Sequence, residues 1–247
     1  MRMTPRNVDN VNIMDSNPPK SHRAYHHGDL HNALIEAGLA ALEANDAAGL
    51  SLRALARELG VSANAVYRHF ADKDALLSAL AAEGFRRFGQ AQAQAQARAD
   101  TDPIATGLDY VRFAQRHPAL FRLMFGSFTR GCDSSDLQTA AMAAFTQLLE
   151  GSRPAGHSGP IDEATLLRAL VRWSLVHGLS HLLLEGQLSF FGPNGEGAGQ
   201  QDALARAVLM ASGLGPAPAH TASVPAPAAT AQTVGKGKGK PSTKATS

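Results

Sequence analysis

Apolar positions along this chain repeat with a helical period, and the pattern is densest in two short runs on either side of Gly60. Leu52, Leu55, Ala56 and Leu59 fall at i, i+3, i+4 and i+7, which gives the first run a single apolar face. Ser51 stands where an N-cap belongs, and Gly60 follows the last apolar position, where a chain leaving a helix often takes positive φ. Val61 supplies an apolar plug, Ser62 is a second N-cap, and Ala65, Val66, Tyr67 and Phe70 continue in helical register. Helix, short glycine-containing turn, helix predicts a helix-turn-helix, whose second helix enters the major groove of DNA.

The side chains of that second helix suit the task. Ala63, Asn64 and Ala65 are small enough to let the backbone approach base edges. Asn64 can present its amide to adenine, and the alanine methyls can touch a thymine methyl. Tyr67, Arg68 and His69 are donors of the kind that hold phosphates. With Ser51, Arg53, Ser62 and Lys73 these residues form the candidate DNA-contacting set. The plain alternative is a hairpin of surface helices, against which the agreement of caps, glycine, plug and polar face argues.

The flanking pattern is helical as well. Asp29 can cap a first helix with Leu30, Leu34, Ala37 and Ala41 on one face, and Asn45 to Gly49 reads as a turn. Asp72 can cap a long helix whose first residue, Lys73, then stands at the positive end of a helix dipole, a good place for a phosphate. Leu76, Leu77, Leu80 and Phe88 make a stripe that can tie a head to a body, while the alternating Gln and Ala of Gln90 to Ala97 read as a solvated helix. Pro103 to Arg116 is a further helix, broken at His117-Pro118 and followed by a short one over Leu120 to Phe125. Leu137 to Glu150 is next, with Met142, Phe145, Leu148 and Leu149 inward. An Asp162-capped helix to about Glu185 follows, and then one over Gln201 to Leu214 with Leu204, Ala207, Val208 and Ala211 on one face. Gly151 to Pro160 is a loop by composition, and the Gly-rich Phe190 to Gln200 reads as mobile. Residues 1–23 read as a flexible arm and residues 215–247, with their Lys-Gly repeat, as a disordered tail.

At these residues the chain resembles the TetR family of transcriptional regulators. The likeness is carried by the apolar helix Leu34 to Leu42, by Leu59-Gly60-Val61-Ser62, by Tyr67-Arg68-His69-Phe70 and by Lys73. Phe113 to Gly126 and the run from Trp173 through His177 to Gly178 resemble the body of a subgroup with a Trp-His-Gly signature. Tyr25 to Leu30 resembles a further subgroup, in which the next position is commonly basic; here it is His31. The resemblance implies an all-α fold, with a three-helix DNA-binding head over 24–80 and a helical ligand-binding and dimerisation body over 81–214. It also implies a homodimeric, ligand-released repressor acting on a palindromic double-stranded operator.

No stretch approaches the roughly 20 apolar residues of a membrane span, and residues 1–21 lack the apolar core of a signal peptide. A soluble, cytoplasmic protein with no membrane partner is expected. Cys132 is alone, which excludes an intrachain disulfide or a cysteine-built zinc site; its Gly-Cys-Asp context reads as incidental rather than as a redox sensor. The net charge of +2 hides an asymmetry: without the five bases after Asp202, 18 basic residues face 21 acidic ones. DNA affinity must therefore come from a local patch.

No nucleophile elbow, phosphate loop, dinucleotide fingerprint or paired-cysteine motif is present, so neither an enzyme nor a cofactor is expected. The pair His26 and His27 lacks acidic or thiol neighbours for a metal. His177, His181 and Glu185 at i, i+4 and i+8 could hold one, which gives a rival reading as a metal-dependent sensor or enzyme. Trp173, Val176 and Leu184 share or flank that face, and burial is the simpler account. Phe113, Phe121, Met124, Phe125, Phe128, Met142, Phe145, Trp173 and His177 are the candidate lining of a small-molecule pocket, although each could equally serve as core. Few charges interleave them, which points to a small apolar or aromatic effector.

Overall fold

Ten helices and no strand occupy the residues described by the computed structural model, which are 30–98, 102–154, 156–188 and 198–213. They are α1 (Leu30–Gly49), α2 (Leu52–Glu58), α3 (Ala63–Tyr67), α4 (Lys73–Gln96), α5 (Pro103–Arg116), α6 (Pro118–Phe125), α7 (Ser127–Arg130), α8 (Ser135–Glu150), α9 (Glu163–Leu184) and α10 (Ala198–Ala211). The expected arm, the Asp29 cap, the histidines at 26 and 27, residues 190–197 of the expected Gly-rich segment, Leu214 and the tail lie outside the described residues, while residues 198–200 of that segment belong to α10. Among those described, no helix is long and apolar enough to cross a membrane.

Local chemistry sets most boundaries. The side chains of Ser51, Ser62, Asp72 and Asp162 each accept the backbone N–H three residues on, at 3.5, 3.2, 2.8 and 2.8 Å. Gly60 takes φ +66, the left-handed conformation that a Cβ would oppose, and so lets α2 stop and α3 cross it. Asp46 also has positive φ (55) and ends the regular part of α1, inside the turn expected over Asn45 to Gly49.

Leu34, Leu42, Leu55, Val66, Leu76 and Leu80, all fully buried, form the centre of the head. The face of α1 differs from the expected one. Leu34, Ile35, Gly38, Leu39 and Leu42 are buried, whereas Ala37 and Ala41 sit half-buried at the edge. The reason is that α1 packs against both α4 and α6, so its buried stripe is wider and rotated; a Cβ on Gly38 would lie 3.0 Å from a methyl of Leu80.

Three further expectations are corrected by packing between distant segments. The end of α4 is not solvated: Gln92 and Ala95 are buried because α8 lies along it, where Gln147 donates to Oε1 of Gln96 at 2.6 Å. On α8 the inward line is Leu137, Ala140 and Ala144; Met142 is 61% exposed, and Phe145, Leu148 and Leu149 are half-buried. Small residues face α4 there because the two helices run close, which pushes the bulky ones to the flanks. On α10 the inward residues are Ala205 and Leu209, the latter over Gly107 and Val176, while Ala207 and Ala211 are exposed.

Head and body are joined by α4, which runs through both, and by α6. A Cβ on Gly84 of α4 would stand 2.7 Å from the sulfur of Met124, so the glycine permits the close approach of α6. His117 gives α6 no side-chain cap and Pro118 has no N–H to offer. Glu43 of α1 replaces the missing cap: its carboxylate accepts the N–H groups of Ala119 and Leu120, both at 3.1 Å. Arg87 of α4 adds an ion pair with Glu36 of α1 and bonds Glu83 at 2.9 Å.

Candidate DNA interface and body cavity

The second helix of the helix-turn-helix is anchored from below by Val66 and Phe70, both buried, which leaves its other side to solvent. Ser51, Arg53, Ser62, Ala63, Asn64, Tyr67, Arg68 and His69 are exposed together on this side. Ala65 is not: it is half-buried against the head core, since it follows Ser62 by three positions and shares the inner turn with Val66. Lys73 is also drawn inward, where its Nζ donates to the carbonyl of Ala48 at 2.8 Å and stitches α4 to the end of α1. His31 was not in the expected set. Its ring lies 5.9 Å from that of His69 and 5.2 Å from that of Phe70, a contact that needs α1 beside the end of α3 and has no signal in local spacing.

Below the head, α4, α5, α6, α8 and α9 line a half-open cavity of about 280 Å³. Its wall is made of Phe85, Phe88, Gln92, Tyr110, Phe125, Ala141, Met142, Ala144, Phe145, Leu148 and Trp173. Four of the expected residues, Phe125, Met142, Phe145 and Trp173, are among them. Phe113, Phe121 and Met124 are instead fully or almost fully buried core, because their helices turn them toward neighbouring helices rather than the void. Phe128, on α7, packs half-buried against that core away from the wall, and His177 stands behind Tyr110. Phe85, Phe88 and Tyr110 come from helices α4 and α5, whose own periodicity marks them only as inward-facing, and Gln92 lies in the run expected to be solvated.

Tyr110 is the polar node behind the cavity. Its Oη accepts from Nε1 of Trp173 at 3.2 Å and lies 2.9 Å from Nδ1 of His177. Burial pushes the phenol well above its usual range. Burial also lowers the His177 imidazole to about 4, and neighbouring His181 adds to the effect, so the ring is neutral at pH 7 and its Nδ1 can accept the phenol proton. The rings of His177 and His181 are 4.6 Å apart and both lie against Phe121. Glu185 is turned away, accepting from Nε of Arg122 at 3.0 Å. Among the described residues no three potential ligands converge on a metal position, and the geometry does not favour the metal reading.

A pH dependence follows. The folded His177 pKa lies below the unfolded value of about 6.5, so protonation favours the unfolded chain. Stability is complete above pH 6.5 and falls as pH drops from there toward 4. The ring is half-exposed and screened, so about 1 kcal/mol, or 2–4 °C in Tm, is expected from it. His117, also lowered by burial, contributes with the same sign. His177→Gln should therefore remove part of the slope in Tm measured between pH 7 and 4.5; an unchanged slope would contradict the assignment.

Residues 34–80 match the family model described as bacterial regulatory proteins, tetR family, and residues 104–210 match that of a tetracyclin repressor-like C-terminal domain. The latter gives the type of the body. HTH-type transcriptional regulator Rv1816 of Mycobacterium tuberculosis is 35% identical over 115 residues, which are 44% of this chain and 49% of Rv1816. The chain thus spans about half the length of the curated relatives it matches. A protein of unknown function from Rhodococcus sp. RHA1 shares 32% identity at a TM-score of 0.60, over 77% of this chain and 98% of its own. The protein SCO4313, 24% identical with a TM-score of 0.59 over 74% and 97%, is alike in fold.

Proposed function

The chain belongs to the TetR family of DNA-binding transcriptional regulators, and from that premise we propose that it is a homodimeric repressor released from its operator by a small molecule held in the body cavity. Residues 24–80 serve as the head and residues 81–214 as the body. The work is binding rather than catalysis, and it takes place in the cytoplasm, where the DNA is. The observation that carries the reading is that α6 touches both ends of the route: Phe125 lines the cavity, and the first turn of α6 is held by Glu43 of the head. A ligand that shifts α6 biases the head between two placements, and the limit is its difference in affinity for the two states.

The dimer reading rests on the outer face of α9, where Leu166, Leu167, Leu170, Val171 and Leu182 are exposed. Beside it runs an apolar groove shared with Leu204 and Val208 of α10. Two copies joined there make a four-helix seam of α9 and α10.

The test is selection of bound sequences from random DNA followed by affinity measurement on variants. An enriched site with two related half-sites is expected; no enriched sequence would end the reading. Asn64→Ala should relax preference at one base position by roughly 1–3 kcal/mol. Arg68→Ala should weaken all sequences alike and lower the salt slope by about one. If Asn64→Ala leaves the preference unchanged, Asn64 is not the reader.

A further inference from the structure

The cavity wall carries one polar group that the fold leaves unanswered. Gln92, near the C-terminal end of α4, is 8% exposed, and its Nε2 has no hydrogen-bond partner. A buried amide without an acceptor costs about 1–3 kcal/mol, a loss that a leucine in the same place would avoid. Two further polar atoms belong to wall residues, Oη of Tyr110 and Nε1 of Trp173, and they are already engaged with each other, Oη also with His177. Around these the surface is apolar or aromatic, and no wall residue is charged. Nε2 itself has almost no surface open to solvent, so no water answers it, and a guest that fills the cavity satisfies it by drawing the amide toward an acceptor of its own.

Charge and size narrow the class further. A carboxylate or ammonium seated against this wall would give up part of its hydration with no counter-charge to replace it, a cost that a neutral guest does not meet. A cavity of about 150 Å³ holds one benzene; at about 280 Å³ this one has room for two fused rings. Five of the wall residues are aromatic apart from Tyr110, among them Phe88, Phe125 and Trp173, and they offer edges and faces to a flat guest.

Resting on the reading of the cavity as the effector site, we propose that the effector is a neutral, two-ring aromatic molecule bearing a hydrogen-bond acceptor, such as a ring nitrogen, ether or carbonyl oxygen, that Gln92 reads through its Nε2–H. Gln92 thereby separates such a molecule from a hydrocarbon of the same shape.

Quinoline and naphthalene are the probes, since they differ by one acceptor atom, with 2-naphthoate as the anionic control. Binding is measured by calorimetry on the full chain at pH 7. Trp173 is the only tryptophan of the sequence and lies on the wall, so its quenching confirms occupancy of the cavity. Gln92→Leu should reduce quinoline affinity relative to naphthalene by roughly tenfold, the worth of one hydrogen bond, while naphthalene binds as well or better; Gln92→Met is the second variant should the first not fold. 2-Naphthoate should bind at least tenfold more weakly than quinoline. If the ratio of quinoline to naphthalene is the same with and without Gln92, the acceptor assignment is wrong and the effector cavity stands. Tight binding of 2-naphthoate overturns neutrality alone. If none of the three binds or quenches Trp173, both this proposal and the cavity's role as effector site fail.

Discussion

Val171→Glu is expected to leave a folded monomer that has lost about a hundredfold or more in operator affinity, the scale on which joining two binding modules acts. In the single chain Val171 is 62% exposed and Leu167 54%, on the side of α9 opposite its buried Ala169, Val176 and Leu179. A helix that is apolar on both sides is stable only if both are covered. Because the side chain lies outside the protomer core, the substitution should change protomer stability little. In a two-fold dimer each replacement appears twice across the seam, so two buried carboxylates would face each other without a partner cation. Two recognition helices must sit about 34–36 Å apart to reach successive major grooves, and a monomer makes half of those contacts. Light scattering at micromolar concentration and operator titration check it, with Leu167→Glu as the companion variant. A Val171→Glu protein that stays dimeric and keeps its operator affinity removes the α9 seam.

Glu43→Ala should separate operator binding from ligand response. The carboxylate caps the start of α6, where His117 gives none, and it bridges α1 to two backbone N–H groups of the body. Its loss is expected to cost about 1–3 kcal/mol of stability, the range for a hydrogen-bonded charge. The larger effect is on coupling. A ligand that changes operator affinity by 5- to 150-fold does so through a coupling energy of about 1–3 kcal/mol, and Glu43→Ala should bring that ratio close to one. Lys73→Ala is the control, for it loosens α4 from the end of α1 but leaves α6 capped. Operator affinity is measured with and without a compound that quenches Trp173. A ratio unchanged in Glu43→Ala would mean that the signal travels along α4 alone.

What was legible in advance was local. Ser51, Ser62, Asp72 and Asp162 announce helix starts because an N-cap acts over three residues, and Gly60 announces the turn because its φ has few other tenants. The Leu34, Leu55, Val66, Leu80 core follows from a 3.6-residue period. The misses depend on a second segment. Gln92 looks like part of a solvated Ala-Gln run until α8 covers it. Met142 looks inward by composition, yet the close approach of α8 to α4 turns the alanines inside. Glu43, on the outer side of α1, has no local feature that pairs it with a helix start 76 residues on. The cavity wall draws on five helices, so lining residues and core residues carry the same periodic signature.

Because α4 passes through both parts without a linker, the head is not an exchangeable cartridge. A chimera that borrows another regulator's DNA specificity must be spliced within a continuous helix, and a splice that shifts its register by one residue would turn Leu80 and Gly84 about 100° away from Gly38 and α6. Even an in-register graft imports a foreign α1, and with it new residues where Glu36 meets Arg87 and where Glu43 meets α6. Hybrids made from this body should therefore keep their operator preference more readily than their inducibility, unless the donor head is given an acidic residue at position 43.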